Sequence, residues 1–469
     1  MASNLPDYVA SAKPVPAAGR VAWYKTTAQT YAGIMLWFVF WESVPASGAT
    51  TPCGILAQGL GIAVLGVVVG ALLCHFTSYL APGLMGMKTG LPLAVVGTST
   101  YGVQGGFLMP GFFMGILQFG WLAVNAYFSA KLLAGLAGKE VGAEGSVLHL
   151  AIGSAWAVVA AFVGLKGIHY VAKVATFLPL IPLVILLILA GKAMSGVADF
   201  KPTMLTAGAE VPGAQDLFLL AVANIVGFFA TAGAAGTDIA SSNRNAKDVQ
   251  LGGLAGVAGA TIFTDCLALL IVAGAYGAGL AGDKVILKPT ELMDAIMGQD
   301  MAKLFWLLLA VAAFPPACFS SLIAANSFKN TLPKVNPFIS CGLGTAASIA
   351  LVLSGKAGDA AGVFIIIGAS FGPICGAMTA DYLLAGCKWP GPRAGFNPAG
   401  WLSWAVGFVV GAWNALIGPK VVEPLCQVKF DMPCPPMAAI IVGFILYLVF
   451  AKIGLVTRTL EMPVGEQTA

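Results

Sequence analysis

The sequence predicts an all-α protein that crosses the membrane many times. Of its 469 residues, 58% are hydrophobic and only 9% are charged, whereas a soluble globular protein carries about 25% charged residues. A water-soluble chain of this length would need a charged surface. Long apolar stretches without charge, such as residues 54–74, fit helices that face lipid.

Twelve spans follow from the positions of the apolar stretches. A helix needs about 20 residues to cross the hydrocarbon layer of about 30 Å. Read by hydropathy and loop composition, the twelve predicted spans lie near residues 28–48, 53–78, 106–135, 146–165, 168–192, 216–238, 251–279, 303–327, 337–355, 358–386, 399–418 and 436–456. Residues 1–27 and 457–469 form polar tails.

The basic residues of the loops predict the orientation. With twelve spans both tails lie on the same side, and that side collects more Lys and Arg than the other. Because cytoplasmic loops are enriched in these residues, we expect both termini in the cytoplasm and the protein in the cell membrane.

Two spans contain residues that interrupt a helix. In the first span, Glu42 and Ser43 precede Pro45, which lacks an N–H and clashes with the preceding turn. In the sixth span, the stretch 227–237 contains three glycines, Gly227, Gly233 and Gly236. Both spans are therefore predicted to break within the membrane. Packing kinks without a functional role are the alternative, because glycine is common at membrane helix contacts.

The spacing of the two breaks predicts an inverted repeat. Five spans separate them, so residues 28–192 (spans 1–5) and 216–386 (spans 6–10) would be related by a pseudo-two-fold axis, with residues 399–456 as two extra helices. Secondary transporters built in this way hold their substrate at the broken helices near the bilayer midplane.

Polar and aromatic residues in span three predict a site for a flat ligand. Gln118, Trp121 and Asn125 are three and four residues apart and share a helix face. An indole to stack on and amides that donate and accept hydrogen bonds suit a heteroaromatic ring. Phe228 and Phe229 at the second predicted break could close the stack from the other side. Amides that join helices and aromatics that fill the core are the alternative.

Span eight offers oxygen ligands for a cation. Ser320 and Ser321 follow the Pro315-Pro316 pair, and Asn326 lies further along. Together with carbonyls freed by the break in span one, adjacent hydroxyls are the hard ligands that Na⁺ requires. Hydroxyls bonded back to their own helix are the alternative.

Two acids lie at membrane depth. A buried carboxylate there is costly and is a functional hypothesis by default. Glu42 could bind an N–H group of the substrate, carry a coupling proton, or cap amides exposed by the break. Asp265 in span seven adjoins no predicted break, and we expect it to be structural.

Other functions are disfavoured by what the sequence contains. The net charge of +4 comes without a basic stretch, so no nucleic-acid partner is expected. Neither a metal-binding motif nor a Walker A sequence occurs, and no Ser–His, Cys–His or paired-carboxylate arrangement suggests an enzyme. A membrane enzyme or a non-transporting sensor on the same fold remains a distant alternative. Cys426 and Cys434 could form a disulfide in the outward loop.

Several motifs together resemble the nucleobase–cation symporter-1 family of purine, cytosine, allantoin and hydantoin permeases. The motifs, which cover most of the chain in order, are Gly86-Met87-Lys88-Thr89-Gly90-Leu91-Pro92, Thr100-Tyr101-Gly102-Val103-Gln104-Gly105, Gln118-Phe119-Gly120-Trp121, Thr231-Ala232-Gly233 with Asp238 and Arg244-Asn245-Ala246-Lys247, and Gly372-Pro373 with Asp381-Tyr382. The cytosine permease branch is the most similar.

The resemblance implies a leucine-transporter-type fold with alternating access to one site. It implies that Trp121 and Phe229 sandwich the substrate ring and that Gln118 and Asn326 hold its edge. A sodium site would use the carbonyls of span one, near Trp41 and Val44, and the span-eight residues Ala317, Ser320 and Ser321.

The predicted activity is import of a nucleobase-like heterocycle by symport. The coupling ion is expected to be Na⁺, with H⁺ through Glu42 as the alternative, and no other cofactor is expected. Leu322 and Glu42 depart from the cytosine permease pattern, and an acid in the pocket would suit a ligand rich in N–H donors. We expect a monomer in the lipid bilayer.

Overall fold

The structure is a computed structural model that describes residues 5–47, 54–138, 144–166, 169, 175, 177–206, 210–282, 285–332, 334–426 and 430–462, without the side chains of residues 330, 420, 422, 425 and 426. Helices make up nearly all of the regular structure in these ranges, and the only β pairing there consists of two isolated bridges. The predicted all-α fold class is confirmed.

Sixteen helices define the architecture. They are α1 (Thr27–Met35), α2 (Phe38–Ser43), α3 (Leu60–Thr89), α4 (Phe113–Ala137), α5 (Val147–Lys166), α6 (Leu180–Asp199), α7 (Ala214–Ala234), α8 (Gly236–Ala240), α9 (Ala246–Gly277), α10 (Pro289–Met297), α11 (Gln299–Thr331), α12 (Pro337–Leu353), α13 (Ala360–Leu384), α14 (Pro398–Gly411), α15 (Trp413–Val422) and α16 (Pro435–Lys452).

The long helices match a polytopic membrane protein. Within the described ranges, nine helices are long and apolar enough to cross a membrane, and α14 with the start of α15 forms a further span bent by 86°. The broken pair α1/α2 and the shorter α12 are compatible with the remaining two predicted spans. Large apolar side chains such as Phe162 and Leu343 are exposed on the outer helix faces, where lipid would cover them.

The first break lies earlier in the chain than Pro45. Helix α1 ends at Met35, Trp37 adopts an extended conformation, and α2 begins at Phe38. Pro45 instead follows the end of α2, because a proline stops a helix before its own position. The indole N–H of Trp41 donates to the Leu36 carbonyl at 3.2 Å and supports the break.

The second break lies at the end of the glycine-rich stretch 227–237 that predicts it. Helix α7 runs from Ala214 to Ala234 and α8 begins at Gly236, so the helix is interrupted at Ala235, beside the third glycine. Gly227 and Gly233 lie inside the regular helix and serve close packing: a Cβ at Gly227 would lie 2.8 Å from the Phe364 carbonyl oxygen of α13, and one at Gly233 would lie 2.6 Å from the Ser78 side chain of α3. For these two glycines the packing alternative is therefore the correct one.

The core helices pack into two groups. Helices α1, α2, α3, α7 and α9 contact one another, and α4, α5, α11 and α12 form the second group. Small residues allow the close approaches: a Cβ at Gly164 of α5 would lie 2.3 Å from the Cys318 carbonyl oxygen of α11. Helix α13 packs on α7 and carries α14 and α16 on its other side. The broken helix α1/α2 belongs to the first group, and a site can form between this group and the second one.

Candidate substrate and cation site

Five aromatic rings gather at the break in the first span. Trp37 lies at the break, and its ring centroid is 6.1 Å from that of Trp121 on α4 and 6.3 Å from that of Phe228 on α7. Phe228 stacks on Phe40 of α2 at 4.0 Å and meets Trp121 edge to face at 5.2 Å. Phe364 of α13 lies 5.4 Å from Trp121 and 5.1 Å from Phe228. We call Trp37, Phe40, Trp121, Phe228 and Phe364 the ring cluster.

The polar groups of the ring cluster are held in different ways. The Trp121 indole N–H donates to the Thr231 hydroxyl of α7 at 3.2 Å, which fixes the plane of the indole. The indole N–H of Trp37 is buried and has no hydrogen-bond partner among the described residues. A buried N–H without a partner is costly, so Trp37 offers a donor that a ligand could satisfy.

Gln118 lies one turn before Trp121 on the same face of α4. Its side chain is buried, and its amide N–H donates to the Met114 sulfur at 3.5 Å. Because a thioether is a weak acceptor, this amide keeps capacity for a stronger partner. The predicted pairing of Gln118 and Trp121 on one helix face is thus present in the structure.

Asn125 does not join the ring cluster. Its amide donates to the Ala313 carbonyl of α11 at 2.9 Å, and its oxygen accepts from the Trp156 indole of α5 at 3.1 Å. These bonds connect α4 to two neighbouring helices. Asn125 therefore follows the alternative given for span three, an amide that joins helices.

Phe229 and Asn326 lie elsewhere as well. Phe229 is buried and packs against Tyr31 of α1 with a centroid distance of 5.6 Å, so the ring opposite Trp121 is Phe228. Neighbouring residues of a helix point about 100° apart, which explains why only one of the two phenylalanines reaches Trp121. Asn326 lies on an exposed face of α11.

Glu42 faces away from the ring cluster. It lies two residues after Phe40, about 200° around α2, and its buried carboxylate accepts a hydrogen bond from the Thr290 hydroxyl of α10. The Trp306 indole of α11 donates to the Thr290 carbonyl at 3.0 Å. Glu42 thus connects α2 to α10 in the structure rather than lining the cluster.

Ion pairs surround this contact between α2 and α10. The buried Lys131 ammonium of α4 donates to Glu291 of α10 at 2.7 Å and also pairs with Glu144. Lys288 lies 3.7 Å from the same Glu291 carboxylate. We call Glu42, Lys131, Glu144, Lys288, Thr290 and Glu291 the outer polar network, after the predicted outward side of the membrane.

The serine pair of α11 has one free hydroxyl. Ser320 donates back to the Pro316 carbonyl at 3.2 Å, whereas the fully buried Ser321 hydroxyl has no hydrogen-bond partner among the described residues. Ala317 is buried one turn earlier. An orphaned buried oxygen beside a second hydroxyl fits the donor set of a Na⁺ site.

The carbonyls expected from Trp41 and Val44 lie beyond the break, at the far end of α2. The Val44 carbonyl accepts the Ser47 amide at 3.1 Å, whereas Pro45, four residues after Trp41, has no N–H to donate to the Trp41 carbonyl, so Trp41 stays a predicted ligand. At the break itself, the Trp37 amide bonds to Ile34 at 3.2 Å rather than to Gly33, as a continuing α-helix would require. The Gly33 carbonyl is thereby a further candidate ligand.

Sequence reasoning missed four members of this site. Trp37, Phe40 and Phe364 belong to the ring cluster, and Thr231 orients Trp121. The aromatic run from Trp37 to Trp41 was an available signal for the first two. No sequence signal indicated Phe364, because its place in the ring cluster depends on how α13 packs against α4 and α7. The side chain of Cys426 lies outside the described residues, so the Cys426–Cys434 disulfide stays a prediction.

Most of the chain matches the model of a known protein family. Residues 21–387 match the model for permeases for cytosine/purines, uracil, thiamine and allantoin. Cytosine permeases from three strains of Escherichia coli, K12 among them, are each 27% identical to this chain over 356 residues, covering 75% of the chain and 76% of the relative.

Solved structures share the fold. An inward-facing conformation of Mhp1 aligns with a TM-score of 0.66 at 18% identity, covering 99% of this chain and 100% of that one. A second structure of Mhp1, described as a nucleobase-cation-symport-1 family transporter in a closed conformation with bromovinylhydantoin bound, aligns with a TM-score of 0.60 at 18% identity, covering 98% of this chain and 97% of that one. A Na⁺-coupled sialic acid symporter in an outward-open state aligns with a TM-score of 0.55 at 10% identity, covering 97% of this chain and 93% of that one. The leucine-transporter-type fold is confirmed.

Proposed function

The chain belongs to the nucleobase–cation symporter-1 family, and from this premise we propose that it imports a nucleobase-like heterocycle together with Na⁺. Nucleobase transport by symport is the activity of the family, and the family consists of permeases rather than enzymes. The identity of the ion and the class of substrate are the proposed part.

The ring cluster carries the proposal. Trp121 and Phe228 meet at 5.2 Å with their planes at 79°, and Trp37 lies beside both. Edge-to-face rings gain about 0.5–1.5 kcal/mol beyond the area they bury, and a flat ligand can replace these contacts by stacking on the indole. The site therefore suits an aromatic or conjugated ring better than an aliphatic substrate.

The polar groups around the ring cluster select the edge of the ligand. Gln118 offers an amide that both donates and accepts, and the Trp37 N–H offers a donor. Pyrimidines and purines carry N–H, N and C=O groups along their edges, as does cytosine, after which the Escherichia coli permeases are named. We therefore assign Gln118, Trp121, Phe228 and Trp37 to the substrate, and we keep Asn125, Phe229, Asn326 and Glu42 outside direct contact.

The cation site uses oxygen atoms of both helix groups. Ser321 and Ser320 with the Ala317 carbonyl would supply ligands from α11, and the Gly33 carbonyl would supply one from α1. Na⁺ would then favour conformations in which the two groups lie close together. By linkage, Na⁺ must raise substrate affinity by the same factor by which substrate raises Na⁺ affinity.

The frame supports alternating access. We propose that the group of α1, α2, α3, α7 and α9 moves against α4, α5, α11 and α12; each group takes helices from both predicted repeats, 28–192 and 216–386. The protein would act as a monomer in the cell membrane with both termini in the cytoplasm.

A binding experiment with purified protein tests substrate and ion together. Melting temperatures are measured with each of a panel of nucleobases, with and without Na⁺ at constant ionic strength. At least one base should stabilise the protein, and more strongly with Na⁺. Ser321→Ala should remove the Na⁺ effect, whereas Ser340→Ala, which changes a serine outside the site, should keep it. Full Na⁺ dependence in Ser321→Ala would show that the ion site is elsewhere.

A further inference from the structure

Asp265 of α9 is a buried acid that the proposed transport site does not use. Its side chain is fully buried, and neither carboxylate oxygen has a hydrogen-bond partner among the described residues. A structural carboxylate would be expected to accept hydrogen bonds or pair with a cation, since an unpaired charge in an apolar bundle costs several kcal/mol or more. The structural role expected for Asp265 from the sequence thus lacks the contacts it requires.

The Thr264 hydroxyl lies beside the Asp265 carboxyl but is directed mainly to its own helix. It donates to backbone carbonyls, at 2.9 Å from Ala260 and 3.3 Å from Thr261. A hydroxyl has one hydrogen to donate, so that hydrogen is committed. Thr261 lies one turn before Asp265, is buried, and has no partner for its own hydroxyl among the described residues. Two unsatisfied polar side chains therefore lie on the same stripe of α9.

No positive charge balances the acid in the described part of the chain. The titratable groups close to Asp265 include the Cys74 thiol of α3 and the Cys266 thiol beside it on α9, neither of which carries a positive charge. The ion pairs of the described residues involve other acids. A carboxyl group in such surroundings is most stable as the neutral acid, with a proton on one oxygen.

The position of Asp265 is inside the moving group of helices. On α9, Gly274 packs against Ala193 of α6, where a Cβ would lie 2.1 Å from the Ala193 carbonyl oxygen. Asp265 lies nine residues earlier, about 180° around the helix, and so faces away from α6. The other helices that α9 contacts include α3 and both halves of the broken helix, α1 and α2. Rearrangement at the break therefore changes the surroundings of Asp265.

We propose that Asp265 is a proton-binding site of the transporter, separate from the Na⁺ and substrate sites. In the packed bundle the carboxyl holds a proton; when α1 and α2 rearrange at the break beside α9 and water enters, the O–H bond breaks and the proton passes to water. The reverse step takes a proton from water before the bundle closes. Proton binding thereby stabilises the conformations in which Asp265 is buried, because a ligand that binds one conformation more tightly than another shifts the equilibrium toward it.

Infrared spectroscopy tests the proposal without substrate or Na⁺, so its result is independent of the proposed function. The carbonyl stretch of a protonated carboxyl group is recorded in lipid at neutral pH, with its characteristic shift on exchange into D₂O. Asp265→Asn should lose one such component. Asp238→Asn, which changes an acid that accepts the Leu93 amide at 2.8 Å, should retain the Asp265 component.

A folded Asp265→Asn variant with the wild-type carboxyl band would overturn the proposal. If that variant does not fold, Asp265→Glu decides: the band should remain but change frequency, and an unchanged band would equally refute the assignment. Reconstituted wild-type protein should also show a pH dependence of conformational change that Asp265→Asn lacks and Asp238→Asn keeps.

Discussion

Phe40 of α2 stacks on Phe228 of α7 with ring centroids 4.0 Å apart and an interplanar angle of 23°. This contact ties the outer half of the broken helix to the helix that faces Trp121. Phe40 presents one face of α2 to the ring cluster, and Glu42 presents the opposite face to Thr290 of α10. One short helix of six residues therefore joins the proposed substrate site to the outer polar network, and separate predictions follow for its two faces.

Trp121→Ala should weaken substrate binding strongly. The change removes the indole that meets Trp37, Phe228 and Phe364 and leaves the Thr231 hydroxyl without its donor. A loss of at least about tenfold in affinity corresponds to about 1.4 kcal/mol. Calorimetric titration with the base that stabilises the protein most gives the Kd. Trp413→Phe, which changes a tryptophan outside the ring cluster, should keep the wild-type Kd.

The two adjacent phenylalanines of α7 should behave differently. Phe228→Ala should raise the Kd for substrate, because Phe228 meets Trp121, whereas Phe229→Ala should chiefly lower stability, because Phe229 packs on Tyr31. Removing a buried phenylalanine ring costs about 3–5 kcal/mol. The measurements are the melting temperature and the Kd of the folded protein. A larger effect on Kd from Phe229→Ala would contradict the geometry and favour the sandwich implied by the family resemblance.

The two amides of α4 should likewise separate into binding and stability. Asn125→Ala leaves the Trp156 N–H without its acceptor and removes the side-chain bond to the Ala313 carbonyl, and an unsatisfied buried group costs about 1–3 kcal/mol. Its melting temperature should fall while the Kd for substrate stays close to wild type. Gln118→Ala should do the reverse, since Gln118 loses only a weak bond to a sulfur atom. Equal effects of both variants on Kd would argue that Asn125 also contacts the substrate.

The sequence predicted the class of the fold more securely than the details of its breaks. Low charge and apolar length set the spans, because lipid imposes both on any helix that crosses it. The glycine-rich stretch 227–237 did predict the interruption at Ala235, whereas Pro45 and Gly227 were poorer guides. Proline ended α2, and Gly227 served a contact with Phe364. The true break at Trp37 carries neither residue type and is supported by a side chain, Trp41, whose reach depends on the tertiary structure.

Some site residues could likewise be predicted from the sequence, and others depend on tertiary packing. Gln118 and Trp121 were found because residues three apart share a face of one helix, which the sequence alone determines. Which of Phe228 and Phe229 meets Trp121 depends on the rotation of α7 against α4, and rotation is set by packing between helices. The orphaned oxygens of Ser321 and Asp265 could not be anticipated either, since a missing partner is visible only when all neighbours are placed.

Substitutions at Glu42 and Thr290 should affect the contact between α2 and α10 rather than the choice of substrate. Glu42→Gln keeps an oxygen that can accept from Thr290, so the order of affinities across a panel of bases should not change. Thr290→Val removes the donor and leaves a buried carboxylate short of a hydrogen bond, which should lower the melting temperature. Competition binding gives the selectivity. Altered selectivity in Glu42→Gln would return Glu42 to the substrate site.

Acid should weaken the outer polar network through Glu144. Partial burial alone would raise the pKa of Glu144, but the Lys131 ammonium outweighs it and holds that pKa below its ordinary value. A carboxylate with a lowered pKa in the folded protein contributes stability above the ordinary Glu pKa of about 4.3. That contribution is lost as the pH falls through the lowered value. Melting temperatures measured from neutral to acidic pH should therefore fall less steeply in Glu144→Gln than in wild type, because the variant has no such proton to take up.

Glu210→Gln, a loop substitution outside the network, should follow the wild-type curve. Parallel curves for Glu144→Gln and wild type would mean that the pair between Glu144 and Lys131 does not contribute to folding stability.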